Sequence, residues 1–503
     1  MFAAAHEWTP PPKRRATPDF SDLSSALSVA QDHDTFHLYQ QLAHGVPTGA
    51  AALAARRYLG AAIAKLDPQA CDLPESPQDL IAWMQHSADL ASAKYRVYLQ
   101  ERQAGGPRRY FSNRAHALYF LRSVAPTKLV DGSWLYGLLA HAQNPRFSDL
   151  VQTYIEELGE GQADKNHVVL YRQLLHRYGL DPVDDLADDL YIQGVLQLGL
   201  GFNASEFLPE VIGFNLGYEQ LPLHLLITSY ELNELGIDPY YFTLHITVDN
   251  EATGHARRAV QAVLDCLPRL GGPEATEAFW QRVRHGYQLS NAGVGTSQVI
   301  AGFDIDTEVV RIMSHKSAAG HGAHSDYCKV AGRGVNDWLS EASQIPAFLA
   351  ALTDAGWIKR GQPVQDSRFW HLLQGDRAEM FGVFSAYELQ VIHDWIRGEA
   401  SADGLPYTEM PAPGGRRRAT FRATARLADA RRAQAAKLAS PMASTSPHDE
   451  LLDPDLQALK AQLAASAADA QATARHLVMA MSPNEHWTPA GLYATRVFLQ
   501  QPA

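Results

Sequence analysis

The stretch from about Ala115 to Leu289 is one long succession of helical segments, and it constrains the fold more than any other feature. Turn signals containing proline or glycine divide it: AHAQNPRF, YGLDPVDD, ELGIDPYY and LPRLGGPEA. Between these turns, apolar residues recur at three-to-four-residue spacing, which is typical of amphipathic helices. The one β-like run, YFTLHITV, has flanks that favour a helix. The pattern predicts an all-α protein with a central helical bundle at residues 115–290.

Further segments flank the predicted bundle. We expect a flexible, proline-containing tail at residues 1–20 and a helical region at residues 21–114, which ends near the break QAGGPRR. Residues 291–400 form an extension expected to pack on the bundle. The composition then becomes basic and poor in apolar residues, which predicts an exposed, poorly ordered linker at residues 401–450. A helical segment is expected at residues 451–503.

Composition excludes several classes of protein. The 503 residues carry a net charge of −12, whereas a nucleic-acid-binding surface usually requires a basic excess. Only three cysteines occur, far apart, which argues against a disulfide framework, an iron–sulfur cluster and a cysteine zinc site. No apolar run reaches the roughly 18 residues that cross a bilayer, and the N-terminus lacks the order of a signal peptide. We therefore expect a cytoplasmic protein that binds neither nucleic acid nor membrane.

The first candidate for chemistry is the segment YIEELGEGQADKNH, which contains Glu156, Glu157, Glu160 and His167. A helix is expected to end near Leu158, followed by a glycine-containing turn and a second helix. Such a turn can direct Glu157 and His167 to one point. The alternative is a solvated acidic turn with a capping role.

The second candidate is YFTLHITVDNEATGHARRAV, interpreted as one helix over residues 241–260. His245 and Asp249 are four residues apart and share a helical face. His255 would lie about 80° away on an ideal helix, so it could join them only through a local irregularity. The alternative is a buried histidine–aspartate hydrogen bond that binds nothing.

The third candidate is the segment FLPEVIGFNLGYEQLPLHLLI, which contains Glu210, Glu219 and His224. Glu210 and Glu219 are nine residues apart, or about 180° on a straight helix, so only one of them is expected to face the interior. The alternative is that a lone glutamate on such a helix is exposed.

Carboxylates and imidazoles converging in a helical core favour a non-haem iron or manganese site. Glu-x-x-His pairs, HExxH and phosphate-binding glycine loops are missing from the sequence. His324 and Asp326 form a His-x-Asp pair, but that pair usually belongs to a β jelly roll. His315, His321 and His324 are interpreted as an exposed helix end followed by a glycine turn.

The motifs EELGEGQADKNH, LPEVIGFNLGYEQLP and YFTLHITVDNEATGHA, in this order, resemble the haem-oxygenase-like di-iron oxidases and oxygenases, often described only as iron-containing redox enzymes. Later segments, from IMSHKSAAGHGAHSDY to EMFGVFSAYELQVIHDWI, are similar to longer members. The resemblance covers roughly residues 115–400. It implies a haem-oxygenase-like helical bundle without haem, two Fe(II) ions between core helices, and O₂ as co-substrate.

By position, the resemblance implies six metal ligands: Glu157, His167, Glu219, His245, Asp249 and His255. It also implies oxidation of a small molecule such as an amine, an amino acid or a fatty acid. An external electron donor and a homodimer are possible partners.

Two positions depart from the family pattern. Ala252 stands where a histidine is usual, and Asp131 is the nearest candidate for an expected early glutamate. Glu160 and Glu210 remain alternatives to Glu157 and Glu219. A metal-free or haem-binding helical protein with a binding or scaffold role is therefore the alternative function.

Overall fold

The computed structural model describes residues 34–181, 183–248, 254–325, 327–374, 378–398 and 452–501. The predicted tail at 1–20, the predicted linker at 401–450 and the candidate ligand Asp249 lie outside these ranges. Within them almost all regular structure is helical. The strands are one short antiparallel pair, Lys329–Val330 with Arg333–Gly334. The predicted all-α fold is confirmed.

The helices up to the end of the central bundle are α1 Asp34–Ala43, α2 Gly49–Ala64, α3 Leu80–Gln103, α4 Arg114–Ser123, α5 Ala125–Lys128, α6 Ser148–Glu157, α7 His167–Tyr178, α8 Ile192–Phe202, α9 Leu208–Tyr218, α10 Leu223–Glu234, α11 Tyr240–Val248, α12 His255–Cys266 and α13 Gly272–Leu289. Short 3₁₀ turns of this region are Pro68–Ala70, Pro77–Asp79, Ser133–His141, Pro145–Phe147, Gly159–Gly161 and Asp188–Tyr191.

The later helices are α14 Thr296–Ala301, α15 Ile305–Gly320, α16 Val335–Leu339, α17 Ile345–Asp354, α18 Arg368–Leu373, α19 Ala386–Arg397, α20 Pro454–Ala465, α21 Ala470–Ala480 and α22 Pro489–Leu499. Two 3₁₀ turns, Ala342–Gln344 and Val364–Asp366, lie among them. No helix in the described ranges is both long and apolar enough to cross a membrane.

Two large apolar clusters form the interior. One joins α4 and α7 to the extension of residues 299–396, where α15 and α19 pack together. The other joins α6, α8, α9, α12 and α13 to the C-terminal helices. In the second cluster α12 lies between α6 and α9, and α22 packs on the Gly159–Gly161 turn. Chain segments far apart in sequence therefore meet around the end of α6.

Glycines allow α9 and α13 to approach closely. A Cβ on Gly213 would collide with the carbonyl of Val283, and a Cβ on Gly286 would collide with that of Glu210. Each helix thus presents a glycine to the backbone of the other, an approach that any side chain would prevent. This contact fixes the position of the C-terminal end of α9, where Glu219 follows.

Two segments predicted as single helices are each two helices. In the third candidate segment α9 ends at Tyr218 and α10 begins at Leu223, directly after Pro222. Proline lacks a backbone N–H and cannot continue a helix from before it. In the second candidate segment α11 ends at Val248, and a separate helix begins at His255 after an extended Gly254. Helical-face angles across either break do not apply.

Candidate metal centre

The turn between α6 and α7 brings Glu157 and His167 together. Glu157 is the last residue of α6, and His167 is the first of α7. Gly159, Glu160 and Gly161 between them have positive φ angles of 62°, 55° and 76°. Glycine enters this region without steric cost, and a Cβ on Gly159 would collide with the backbone at the far side of the turn. The Gly-Glu-Gly sequence therefore permits this reversal.

Asp131 reaches the same space from an Asp-Gly turn that follows α5. Gly132 is left-handed, with φ 79°, and a Cβ there would lie only 2.8 Å from the Cβ of Glu157. The turn can lie directly against α6 because residue 132 has no side chain. Asp131 is buried, and its carboxylate faces that of Glu157 in the interior.

We call Asp131, Glu157, His167 and His245 the first ligand group. One donor atom of each lies within 4.8 Å of the others. His167 Nδ1 is 2.5 Å from Glu157 Oε2, and His245 Nε2 is 3.2 Å from Asp131 Oδ2. His245 Nδ1 donates to the Tyr241 carbonyl at 2.9 Å. Because a carbonyl only accepts, this bond keeps a proton on Nδ1, so Nε2 is the nitrogen that could bind a cation.

We call Glu157, Glu219 and His255 the second ligand group, whose donor atoms also lie within 4.8 Å of one another. His255 Nδ1 is 2.9 Å from Glu219 Oε2 and 3.5 Å from Glu157 Oε1. Glu219 directly follows α9, and His255 begins α12. All three side chains are buried. The contact between α9 and α12 therefore joins two helix termini at one point.

Glu157 belongs to both groups, and each of its carboxylate oxygens faces a different one. Oε2 faces His167, and Oε1 faces His255. Two cations on either side of Glu157 would share its carboxylate, an arrangement known from two-metal enzyme sites.

Two buried atoms at this position have no hydrogen-bond partner among the described residues: His167 Nδ1 and Glu219 Oε1. His167 Nδ1 is close to Glu157 Oε2, but the two atoms are not aligned as donor and acceptor. Buried polar atoms are nearly always satisfied. A coordinated cation would satisfy both.

Burial and neighbouring charges shift the titration of the first ligand group. Burial, followed by the negative charges of Asp131 and Glu219, raises the pKa of Glu157 to about 8. Burial lowers the pKa of His167 to about 4. Burial would also raise the pKa of Asp131, but Lys128, 3.9 Å away, and the nearby imidazoles outweigh it and hold that pKa below its usual value. The neutral imidazole of His167 beside mutually repelling carboxylates favours a bound cation.

The donor set fits iron. The two groups together offer three carboxylates and three imidazoles: Asp131, Glu157, Glu219, His167, His245 and His255. None of the three cysteines belongs to either group. Oxygen and imidazole donors without thiolate suit non-haem iron or manganese.

Five of the six residues predicted as ligands converge here: Glu157, His167, Glu219, His245 and His255. Their role as ligands remains a prediction, as does that of Asp249. The expected 80° offset of His255 does not arise, because His255 begins its own helix.

The alternative residues lie elsewhere. Glu160 is ion-paired with Lys165 at 3.1 Å. Glu210 is ion-paired with Arg282 at 2.6 Å. The expectation that only one of Glu210 and Glu219 is buried was wrong: both are 3% exposed, because α9 is covered on opposite sides. Of the later histidines, His315 and His321 are exposed and His324 is half-buried, and none belongs to either ligand group.

Sequence reasoning underrated three residues near this centre. From sequence Asp131 is only a departure from the family pattern, although its Asp-Gly turn is a usable signal. Tyr241, whose hydroxyl donates to Asp131 Oδ2 at 2.5 Å, gave no signal in a run that reads as apolar. Glu156 is not among the six predicted ligands, yet its Oε2 lies 2.9 Å from His255 Nε2.

The C-terminal segment stabilises the turn that carries the first ligand group. Asn166 Nδ2 donates to the Leu158 carbonyl at 3.2 Å and to His486 Nδ1 at 3.1 Å. Burial lowers the pKa of His486 to about 3, so its ring stays neutral and can accept. Arg496 donates to the Gly161 carbonyl at 2.5 Å. Residues more than 300 positions away therefore fix the geometry of this turn.

Comparison with known proteins gives one significant match. Residues 118–291 match the sequence model of a family described as iron-containing redox enzymes, and this range contains both ligand groups. No curated protein and no solved structure matches the chain significantly. The resemblance to iron-containing redox enzymes is therefore confirmed over residues 118–291. The match over residues 118–291 supports an iron-dependent oxidoreductase, and the helices of the described residues are consistent with an all-α, haem-oxygenase-like fold.

Proposed function

We propose that the protein is a non-haem di-iron enzyme that uses O₂ to oxidise a small organic molecule. The observation that carries the proposal is the division of Glu157 between the two ligand groups, one carboxylate oxygen to each. The first ligand group would hold one Fe(II) ion, and the second group would hold another. Asp249, the sixth ligand implied by the resemblance, would complete the set.

The protein's own residues prepare both positions for a cation. Because burial raises the pKa of Glu157 to about 8, its carboxyl group is protonated at neutral pH before metal binds. A cation must displace that proton. Iron uptake should therefore release protons and become tighter as the pH rises towards 8.

Bound iron would supply the electrons that reduce O₂, and the surrounding side chains would keep that chemistry dry. Tyr171 and Tyr241 pack against each other beside the first ligand group and are almost fully buried. The Tyr241 ring also contacts the rings of His167 and His245. Excluding water from such a site suppresses side reactions of reactive oxygen species.

On the family resemblance, we propose an amine, an amino acid or a fatty acid as the substrate. An external electron donor would take part where the reaction needs more electrons than the iron ions and the substrate provide.

Anaerobic Fe(II) loading followed by exposure to O₂ tests the proposal. The wild-type protein should bind two irons per chain and then consume O₂, as measured by iron quantification and an oxygen electrode. Glu157→Gln should lose both properties. Glu160→Gln is the matched control, because it removes a carboxylate from the same turn but from outside both ligand groups. A Soret band would instead indicate haem, and protein without iron a metal-free binding role; either result contradicts the proposal.

A further inference from the structure

The two ring nitrogens of His255 contact carboxylates on opposite sides. Nδ1 faces inward, 2.9 Å from Glu219 Oε2. Nε2 faces away from the centre, 2.9 Å from Glu156 Oε2. His255 itself is 1% exposed, whereas the Glu156 side chain is 26% exposed. Adjacent glutamates on α6 thus contact opposite edges of one imidazole, since Glu157 lies on the Nδ1 side.

Glu156 is held in this orientation by several donors. Arg258 Nη1 donates to Glu156 Oε1 at 2.8 Å, and Arg258 Nη2 donates to Oε2 at 2.5 Å. Gln152 Nε2 donates to Oε1 at 2.7 Å. Arg258 lies three residues after His255 on α12, so both side chains leave the same helical face. Turning Glu156 inward would break the paired bonds to Arg258, which are the strong, geometrically specific kind.

A carboxylate that accepts from one ring nitrogen determines which nitrogen can bind a metal. A neutral imidazole has one proton, and an ionised carboxylate can only accept. With a cation bound between Glu157 and Glu219, the Glu156 contact would keep the single ring proton on Nε2 and leave the lone pair of Nδ1 for the cation. An outer carboxylate of this kind orients a ligating histidine and makes it a better donor.

We infer that Glu156, clamped by Arg258, is the positioning residue of the second iron site and makes His255 bind through Nδ1. The inference rests on the proposed di-iron function and adds a residue that the ligand groups do not contain. It also makes the two sites chemically different. His245 is oriented by a neutral carbonyl and presents Nε2, whereas His255 is oriented by a carboxylate–guanidinium pair and presents Nδ1.

The test is a titration of the apo protein with Co(II) alone, followed by its visible d–d absorption. The wild type should bind two Co(II) ions per chain in two steps. Glu156→Gln should leave the step at the first ligand group unchanged and weaken the other by roughly 10–100-fold, the usual effect of losing an outer-shell partner. The d–d spectrum of the weakened step should also change, because the donor strength of His255 falls.

Three controls separate this effect from charge loss and misfolding. Glu160→Gln removes one negative charge nearby without touching His255 and should titrate as the wild type does. Far-ultraviolet circular dichroism of each apo variant reports whether it folds. If Glu156→Gln does not fold, Arg258→Gln decides, because it removes the clamp and leaves the carboxylate in place; it should weaken the same step.

The outcomes distinguish this inference from the function on which it rests. Wild-type protein that binds fewer than two Co(II) ions overturns the di-iron proposal and this inference together. A wild type that binds two ions, with an unchanged second step in folded Glu156→Gln, overturns this inference alone. If Glu156→Gln does not fold, an unchanged second step in folded Arg258→Gln overturns this inference alone. Equal weakening of both steps also overturns it, since the effect would then be general electrostatics.

Discussion

Glu231 and Glu157 are both buried carboxylates, but their surroundings are opposite. Glu231 is fully buried and surrounded by donors. The Tyr98 hydroxyl donates to its Oε1 at 2.8 Å, and the backbone N–H groups of residues 109–111 donate to its two oxygens at 2.5–3.0 Å. This carboxylate joins α10 to the loop that follows α3, and its charge is satisfied within the fold.

Glu157 is instead surrounded by other carboxylates and by imidazoles. Its neighbours are the carboxylates of Asp131 and Glu219 and the inward nitrogens of His167 and His255. Buried groups of this kind repel one another unless a proton or a cation lies between them. The pKa of Glu157 is therefore raised to about 8, and its carboxyl group stays protonated up to about that pH.

The comparison shows that burial of a charge does not identify a functional site. The kind of neighbouring group does: backbone and hydroxyl donors directed at a carboxylate indicate a structural role, whereas other carboxylates and imidazoles directed at it indicate a metal ligand.

Glu157→Gln has the largest expected effect, because Glu157 is the carboxylate common to both ligand groups. The variant should bind neither iron, as measured by metal analysis after anaerobic loading. Gln resembles the protonated carboxyl group, so the apo variant should be at least as stable as the wild type. Because the pKa of Glu157 is higher in the folded than in the unfolded protein, the free energy of unfolding of the apo wild type falls as the pH rises. The fall extends from the pKa of this carboxyl group in the unfolded chain to about pH 8. Apo Glu157→Gln that is much less stable at pH 8 would contradict this account.

Single histidine substitutions should each remove one iron. His245→Ala should abolish the site at the first ligand group and keep the second, and His255→Ala should do the reverse. Each variant should therefore bind about one iron per chain, half the wild-type amount, by metal analysis. Mössbauer spectra of the two singly loaded variants should differ, because the remaining ligands differ. Unchanged iron content in His255→Ala would reduce the centre to one iron.

Glu231→Gln should have the opposite profile to Glu157→Gln. In the wild type, backbone N–H groups donate to the carboxylate oxygens of Glu231; in the variant some of them would face the NH₂ of the amide instead. Each unsatisfied donor costs on the order of 1–3 kcal/mol. We expect the free energy of unfolding to fall by roughly 2–5 kcal/mol in urea titrations. Iron content of the folded variant should stay at two per chain. Loss of iron from a folded Glu231→Gln protein would remove the distinction between the two carboxylates.

His116 gives the smallest effect and a control for pH dependence outside the centre. Its Nε2 donates to the Ile300 carbonyl at 2.9 Å, and burial lowers its pKa to about 4. His116 binds a proton near pH 6.5 in the unfolded chain but only near pH 4 in the folded protein. Stability should therefore decrease by about 3 kcal/mol as the pH falls through this window. His116→Gln should reduce the slope of unfolding free energy against pH by one proton, with or without iron. An unchanged slope would show that His116 is not responsible.

Local sequence patterns predicted the part of the centre that depends on local structure. The spacing from Glu157 to His167 and the glycines between them predicted one turn with two helix ends, and the structure has that turn. Helical periodicity and turn signals likewise predicted the all-α bundle. Both depend on residues within about a dozen positions of one another.

The remainder depends on contacts between distant segments. Asp131 reaches Glu157 only because Gly132 lies against α6, and a turn sequence does not show what it packs on. Glu210 and Glu219 are both buried because each has its own partner. Arg282 forms an ion pair with Glu210, and His255 contacts Glu219. His255 begins its own helix after an extended Gly254, so a helical angle counted from His245 does not apply to it.

The most direct measurement is anomalous diffraction at the iron edge from crystals loaded anaerobically with Fe(II). The account predicts two anomalous peaks on opposite sides of the Glu157 carboxylate. One peak should be ligated by His167 Nδ1 and His245 Nε2, and the other by His255 Nδ1. A single peak, or iron bound away from Glu157, would contradict the shared-carboxylate centre.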